Sequence, residues 1–188
     1  GRNLGLGGGK PHPQLGIQLT KELRHAIGGL QAMISPSMAI FASTMNAYRR
    51  LQSGVFAPVN TAWGYNNRNA ALRIPAGEAQ ARRIEHRVAS ADANIYLSVA
   101  GVLAGIHYGL HEKLEPGEPT IGPILEGHNP AILGSWWEAI DCFEGFKPWQ
   151  SYLGTQFHDR FARLQRSNLD LFLRGTHARD RALYLECL

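Results

Sequence analysis

Seven arginines, Arg49, Arg50, Arg68, Arg73, Arg82, Arg83 and Arg87, fall between Asn46 and Asn94, and one carboxylate, Glu85, sits inside the last cluster. A guanidinium is the side-chain group best shaped for bidentate contact with phosphate or carboxylate. One acid among several arginines can also give an oxygen to a divalent cation. The chemistry these types suggest is the handling of small anionic molecules. A solvated ion-pair ladder, worth little to stability, uses the same residues.

Short strands must position these groups. Ala70-Ala71-Leu72-Arg73-Ile74 is mostly apolar and is stopped by Pro75. Arg83 to Val88 alternates, with Ile84, His86 and Val88 on one face and Arg83, Glu85 and Arg87 on the other. Gly77 and the run Glu78 to Gln80 connect the two strands. Asn66-Asn67-Arg68 and Asp92-Ala93-Asn94 flank them, and Asn and Asp fix loop geometry.

The chain has 188 residues, enough for one domain with its own core. Its formal charge is +4, from an arginine excess in the central stretch and the C-terminal helices. That distribution favours small anions over nucleic acid, and no basic run is interleaved with aromatics. Cys142 and Cys187 lack the spacing of a metal or redox motif, so they read as reduced, cytoplasmic thiols. No apolar run is long enough to span a bilayer.

Residues 1–18 are a Gly/Pro-rich lead-in. Its Gly-Gly-Gly-Lys lacks P-loop spacing, and Pro11 follows Lys10 directly. Leu19, Leu23, Ile27, Leu30 and Ile34 mark a helix capped at Thr20 and ended by Pro36. Met38 to Met45 reads as a short buried helix, with Met33, Met38 and Met45 as core filler. Ile95 to Leu110 is apolar nearly all round, opened by Asn94 or Asp92, and reads as central. Its three glycines suggest close helix packing. His107 and His111, four apart, could hold a metal, but no third ligand is evident and they read as satisfied or surface residues. Leu114 to Asn129 is a connector. A helix follows over Pro130 to Phe143, with Trp136 and Trp137 on or near its apolar side. Pro148 starts the last helical region, with a stripe of Leu153, Phe157, Phe161 and Leu164 and a second stretch through Leu169, Leu171, Phe172 and Leu173. The tail alternates Arg with Leu and Tyr and looks suited to docking on a neighbour.

Several blocks in order, N-A-Y-R-R-L, A-P-V, W-G-Y-N-N-R-N-A-A-L-R-I-P, R-R-I-E-H-R and D-A-N-I-Y-L, resemble the C-terminal half of the catalytic domain of glutamine synthetase and its γ-glutamyl amine and polyamine ligase relatives. The clear resemblance runs from about Leu19 to Leu110. It implies an α+β fold with a few antiparallel strands and several covering helices. The whole of 1–188 is then part of that domain: lead-in 1–18, catalytic core 19–113, connector 114–129 and C-terminal helices 130–188. The expectation is that these 188 residues do not include the family's N-terminal β-grasp domain.

The resemblance also implies roles. Glu85 is a metal ligand beside the ATP phosphates, for Mg2+ or Mn2+. Arg68 and Arg83 resemble the pair at the transferred phosphoryl group, and Arg73 a nucleotide-side arginine. Arg50 and Arg87 resemble the pair that binds glutamate and the γ-phosphoryl intermediate, so Arg50, Arg68 and Arg87 are the expected catalytic residues. Substrates would be ATP, glutamate and an amine, and family members form stacked rings of identical subunits.

Two departures stand out. The family's flap carries a glutamate that helps form the ammonium pocket, and here Phe56 takes that place. Phenylalanine cannot hold ammonium by charge, but it can pack on a larger amine or give a cation–π contact. The family's other metal ligands precede this region, and residues 1–18 do not supply them. The expectation is a C-terminal piece of a longer amine ligase that does not turn over alone. A true glutamine synthetase with an altered flap and a non-catalytic domain that kept the fold are the rivals.

Overall fold

The computed structural model describes residues 11–51, 57–123 and 132–175. Helix α1 (Lys21–Ile34) starts at its expected cap, where Thr20 Oγ1 accepts from the Leu23 amide at 3.0 Å. Leu23, Ile27, Leu30 and Ile34 are all buried. After a 3-10 turn at Ser35–Ser37 come α2 (Met38–Phe41) and α3 (Met45–Arg50). The single helix expected over 38–45 is therefore two. Ala42 leaves helical geometry at φ −138° and ψ 72°. Thr44 then caps a new helix by accepting from the Ala47 amide at 3.3 Å. An N-cap oxygen satisfies an amide that an uninterrupted helix would not leave open, and here it starts the helix that ends in Arg50.

Three short strands follow in the order β1 (Trp63–Tyr65), β2 (Leu72–Ile74) and β3 (Glu85–His86). β2 and β3 pair antiparallel, with Leu72 opposite His86 and Arg73 opposite Glu85. β1 and β2 run parallel, which departs from the antiparallel expectation. The return between them passes through Asn66 at φ 50°, a left-handed conformation that Asn tolerates. The Asn66 amide then donates to the Ile74 carbonyl at 2.8 Å. The expected alternation over 83–88 holds at its centre, and Val88 is fully buried. Trp63, Leu72 and Ile74 pack into the same core as α1 and α2.

Asn94 opens α4 (Ile95–Glu112), its Oδ1 accepting from the Tyr96 and Leu97 amides. The glycines of α4 lie on α1. A Cβ added to Gly29 would strike the Gly105 carbonyl oxygen and the Gly109 backbone, so the two helices touch main chain to main chain. The expectation that α4 is central fails on its other side: Ile95 is 70% exposed, Tyr96 84% and Leu103 60%. An apolar helix is covered only where another element of the same body reaches it; among the described residues α1, α2 and residues 146–152 reach α4, and Ile95, Tyr96, Val99 and Leu103 stay open.

Residues 114–123 of the connector lie along β1. The Trp63 indole donates to the Gly117 carbonyl at 2.6 Å, and the Thr120 amide donates to the Trp63 carbonyl at 2.8 Å. The last helices are α5 (Trp136–Gly145), α6 (Pro148–Leu153) and α7 (Thr155–Leu173). α5 begins later than expected because Ser135 caps it, and residues 132–135 are not helical. Trp136 is buried, whereas Trp137 is 49% exposed. α7 buries His158, Phe161, Ala162, Gln165 and Leu169, so the expected stripe is rotated and Phe157 and Leu164 lie largely in the open. The polar groups on the buried face have partners: Gln165 accepts from the Trp136 indole at 3.1 Å, and His158 Nε2 lies 3.1 Å from the Phe143 carbonyl oxygen. Among the described residues no helix is long and apolar enough to cross a membrane.

Candidate functional site

The β2–β3 register sets Arg73 directly across from Glu85, and the alternation brings Arg87 to the same face. Arg73 NH1 lies 2.8 Å from Glu85 Oε2, and Arg87 Nε lies 3.2 Å from Oε1. Each carboxylate oxygen therefore meets a different guanidinium. The arginine side chains are 14% and 19% exposed and that of Glu85 is 38%. This is a half-buried triad with one excess positive charge, not a solvated ladder.

Neighbouring groups fix the triad. Arg73 NH2 donates to Asn66 Oδ1 at 2.9 Å. Arg87 NH1 donates to the Arg68 and Ala70 carbonyls, the latter at 3.3 Å. Arg50, at the end of α3, donates to the Val88 carbonyl at 2.8 Å, one residue beyond Arg87. The Nε atoms of Arg50 and Arg73 are buried and have no hydrogen-bond partner among the described residues. A buried guanidinium N–H without an acceptor is costly, and an anionic ligand oxygen would meet that need.

The other expected residues divide. Arg68 is exposed, with its own carbonyl beneath Arg87. Arg83 does not join Glu85, because the strand begins two residues later. It is exposed and donates to the Ala81 carbonyl at 3.2 Å. Arg49 bonds Asn46, and Arg82 bonds the Gln18 carbonyl. Phe56 lies outside the described residues, as do Cys187 and the tail from 176 onward. His107 and His111 are exposed and stack on each other, with His107 Nδ1 2.9 Å from the Tyr152 hydroxyl.

Two participants were not anticipated. Asn66, read as a turn former, also orients Arg73. His86, read only as a core-side position, tilts against Phe41 with ring centroids 4.6 Å apart. Burial pushes its pKa down to about 4, so the imidazole under the triad is neutral. A cavity of about 460 Å3 between α2, α4 and α7 is lined by Ile40, Leu97, Phe157 and Arg160 among others, and it includes no member of the triad.

Glu85 is a hard oxygen donor of the kind Mg2+ and Mn2+ take. Among the described residues no group of three or more His, Cys, Asp or Glu converges on a possible metal position. Glu85 thus fits as one ligand of a site whose other ligands these residues do not provide. Each of its oxygens meets one guanidinium and keeps a lone pair that a cation could take.

Comparison with known proteins bears on this arrangement. The family pattern described as glutamine synthetase, catalytic domain, matches residues 12–184. Gamma-glutamylputrescine synthetase of Escherichia coli is 44% identical over 135 residues, covering 72% of this chain and 29% of that protein. Gamma-glutamylethanolamide synthetase of Streptomyces coelicolor is 31% identical, covering 80% of the chain and 32% of that protein. Type-1 glutamine synthetase 2 of Dictyostelium discoideum is 31% identical, covering 100% of the chain and 36% of that protein. The chain therefore spans about a third of the length of these relatives.

Proposed function

Because the chain belongs to the glutamine synthetase family, a family of glutamate–amine ligases, we propose that it is the arginine-bearing part of an ATP-dependent ligase that joins an amine to the γ-carboxyl of glutamate. The observation that carries the reading is the Arg73–Glu85–Arg87 triad beside the unpartnered Nε of Arg50. In this reaction the γ-carboxylate attacks the γ-phosphate of ATP, giving γ-glutamyl phosphate and ADP. The amine then attacks the acyl carbon and phosphate leaves. Negative charge grows on phosphoryl oxygens in both steps, and fixed guanidiniums stabilise it without reorganising.

Arg50 and Arg87 grip the glutamate and its phosphorylated form. Arg73 and Arg68 face the phosphates of ATP. Arg83, exposed on its turn and bonded to the Ala81 carbonyl through NH1, is the further arginine of this side. Glu85 holds its two arginines apart and gives an oxygen to Mg2+ or Mn2+. When bound, the cation neutralises phosphate charge. A lone Glu85 cannot hold two cations, and no three His, Cys, Asp or Glu converge among the described residues, so on this reading the rest of the ligand set belongs to the remainder of the ligase. The chain by itself is then inactive, and the active form is a larger assembly of identical subunits.

The amine is larger than ammonia. Phe56, in the flap position by sequence, offers an apolar surface and no charge for ammonium. The names of two relatives, a putrescine and an ethanolamide synthetase, support this reading. The match to a glutamine synthetase over the whole chain favours ammonia as the second reading.

The test is ADP release by the chain extended to the length of its relatives, with glutamate and metal fixed. Release with putrescine or ethanolamine and little with ammonia is expected. Release with ammonia alone would leave a glutamine synthetase whose flap works without its glutamate. No release with any amine would favour a non-catalytic domain that kept the fold.

A further inference from the structure

Arg50 sits at the end of α3, a helix of six residues. So short a helix has little stability of its own; Ala47 and Tyr48 bury its middle in the core, and what holds its ends fixes where Arg50 sits. Both ends are tied to the same loop, the connection between β3 and α4. At the far end Arg50 itself donates to the Val88 carbonyl at 2.8 Å. At the near end Thr44 Oγ1 accepts from the Ala47 amide and donates its own proton to Asp92 Oδ2. Asp92 is fixed in turn, because its Oδ1 accepts from the Ser90 hydroxyl. The Ser90 amide is anchored to the core by donating to the Phe41 carbonyl at 2.8 Å.

Each hydroxyl has one proton to give and can accept at the same time. Thr44 uses both functions, so the cap of α3 and the bond to Asp92 reinforce each other. A carboxylate acceptor makes a stronger partner for the Thr44 and Ser90 hydroxyls than a neutral oxygen would. Asp92 is exposed and lies 42 residues from Arg50 along the chain, and the structure gives it no contact with the triad. It acts through α3.

We infer that Asp92 is a positioning residue for Arg50: through Thr44 it sets the start of α3, and with it the place where the Arg50 guanidinium meets substrate. The inference rests on the reading of Arg50 as a glutamate-binding residue. A guanidinium carried on a loosened helix loses the fixed geometry on which bidentate recognition depends, and a shift near 1 Å can cost on the order of a hundredfold in rate. The loss belongs to the glutamate side, because Arg73 is held by Asn66 and Glu85 instead.

Two measurements test it. In the 188-residue chain, Asp92→Ala should speed amide exchange across α3 about tenfold or more, while α1 and α4 keep their protection. Thr44→Val, which also removes the cap on the Ala47 amide, should speed that exchange at least as much, and the double variant should be no worse than Thr44→Val alone. In the chain extended to the length of its relatives, Asp92→Ala should raise the KM for glutamate about tenfold and leave the KM for ATP within twofold. Asp92→Asn, which keeps an acceptor for Thr44, should recover most of that loss. Unchanged exchange in α3 would overturn the proposal. So would faster exchange with an unchanged glutamate KM, if Arg50→Ala raises that KM. An Arg50→Ala enzyme with normal glutamate KM would instead remove the reading of Arg50, and this inference with it.

Discussion

Replacing Gly29 with alanine tests the seam that holds α4, and through it the loop carrying Asp92 and the strand carrying Glu85. The added methyl would sit against three backbone atoms of α4: the Gly105 carbonyl oxygen and the Gly109 nitrogen and Cα. No side-chain rotation relieves that overlap. Carbon contacts settle near 3.5–4.0 Å, so the helices must move apart by roughly 1 Å or more. Overpacking of this kind costs about 1–3 kcal/mol and sometimes more. Alanine returns about 1 kcal/mol of helix propensity, because glycine is the poorer helix former. Opening the seam also loosens Leu30 and Ile27, which α1 buries, so a net loss of about 2 kcal/mol is expected. Two controls share the chemistry but not the contact. At Gly105 the methyl meets Leu30 Cδ2 at 3.0 Å, the end of a flexible side chain that can shift, so the change should stay within about 1 kcal/mol of zero. At Gly145 nothing lies within 4 Å, and alanine should be neutral or slightly stabilising. Urea denaturation of the purified chain, followed by far-UV circular dichroism, ranks the three variants at an unchanged m-value. A Gly29→Ala protein as stable as Gly145→Ala would refute the main-chain contact between α1 and α4.

Glu85→Gln leaves two mostly buried guanidiniums without their counter-charge. The loss should fall between that of an exposed pair and a buried one, about 1–2 kcal/mol by urea titration, and added phosphate should restore part of it. His86, pushed down to about 4 by burial, makes stability depend on pH. Between its ordinary value near 6.5 and about 4 the unfolded chain takes up a proton that the folded chain does not. Stability therefore falls as pH drops through that window, by roughly 3 kcal/mol at most, and His86→Leu should flatten the slope measured by urea midpoints from pH 7 to pH 4. Phe56→Glu, in the chain extended to the length of its relatives, should raise the ratio of ammonia use to larger-amine use in an ADP-release assay; an unchanged ratio counts against the flap argument.

Much of the scaffold was legible because its signals are local. Thr20 three residues before Leu23 specifies a cap, and Leu23, Ile27, Leu30 and Ile34 specify the buried face of α1. The two-residue period around Glu85 put Arg87 on its side of the strand and His86 on the other, and both hold. Glycines spaced four apart in α4 announced a close helix contact. Each signal depends on residues within a turn or two, where chain geometry leaves few choices.

What the sequence left open depends on partners far along the chain. Arg83 and Arg87 flank Glu85 equally in sequence, yet the partner across the sheet is Arg73, because pairing begins only at Glu85. Trp136 and Trp137 are alike by composition; Trp136 is buried on the face of Ala139, Ile140 and Phe143, where its indole finds Gln165 29 residues on, and Trp137 lies off that face. Met38 to Met45 reads as one apolar helix, whereas Ala42 leaves helical geometry and Thr44, bonded to Asp92 48 residues away, caps a second one. α4 looks central from its hydropathy, while its outer face has no cover among the described residues. The sequence by itself determined which chemical groups are present and how they alternate along each element. The tertiary structure decided which of them meet, because a long-range pairing is selected by the closure of the whole chain and by the satisfaction of buried polar groups, and neither is written in any short window.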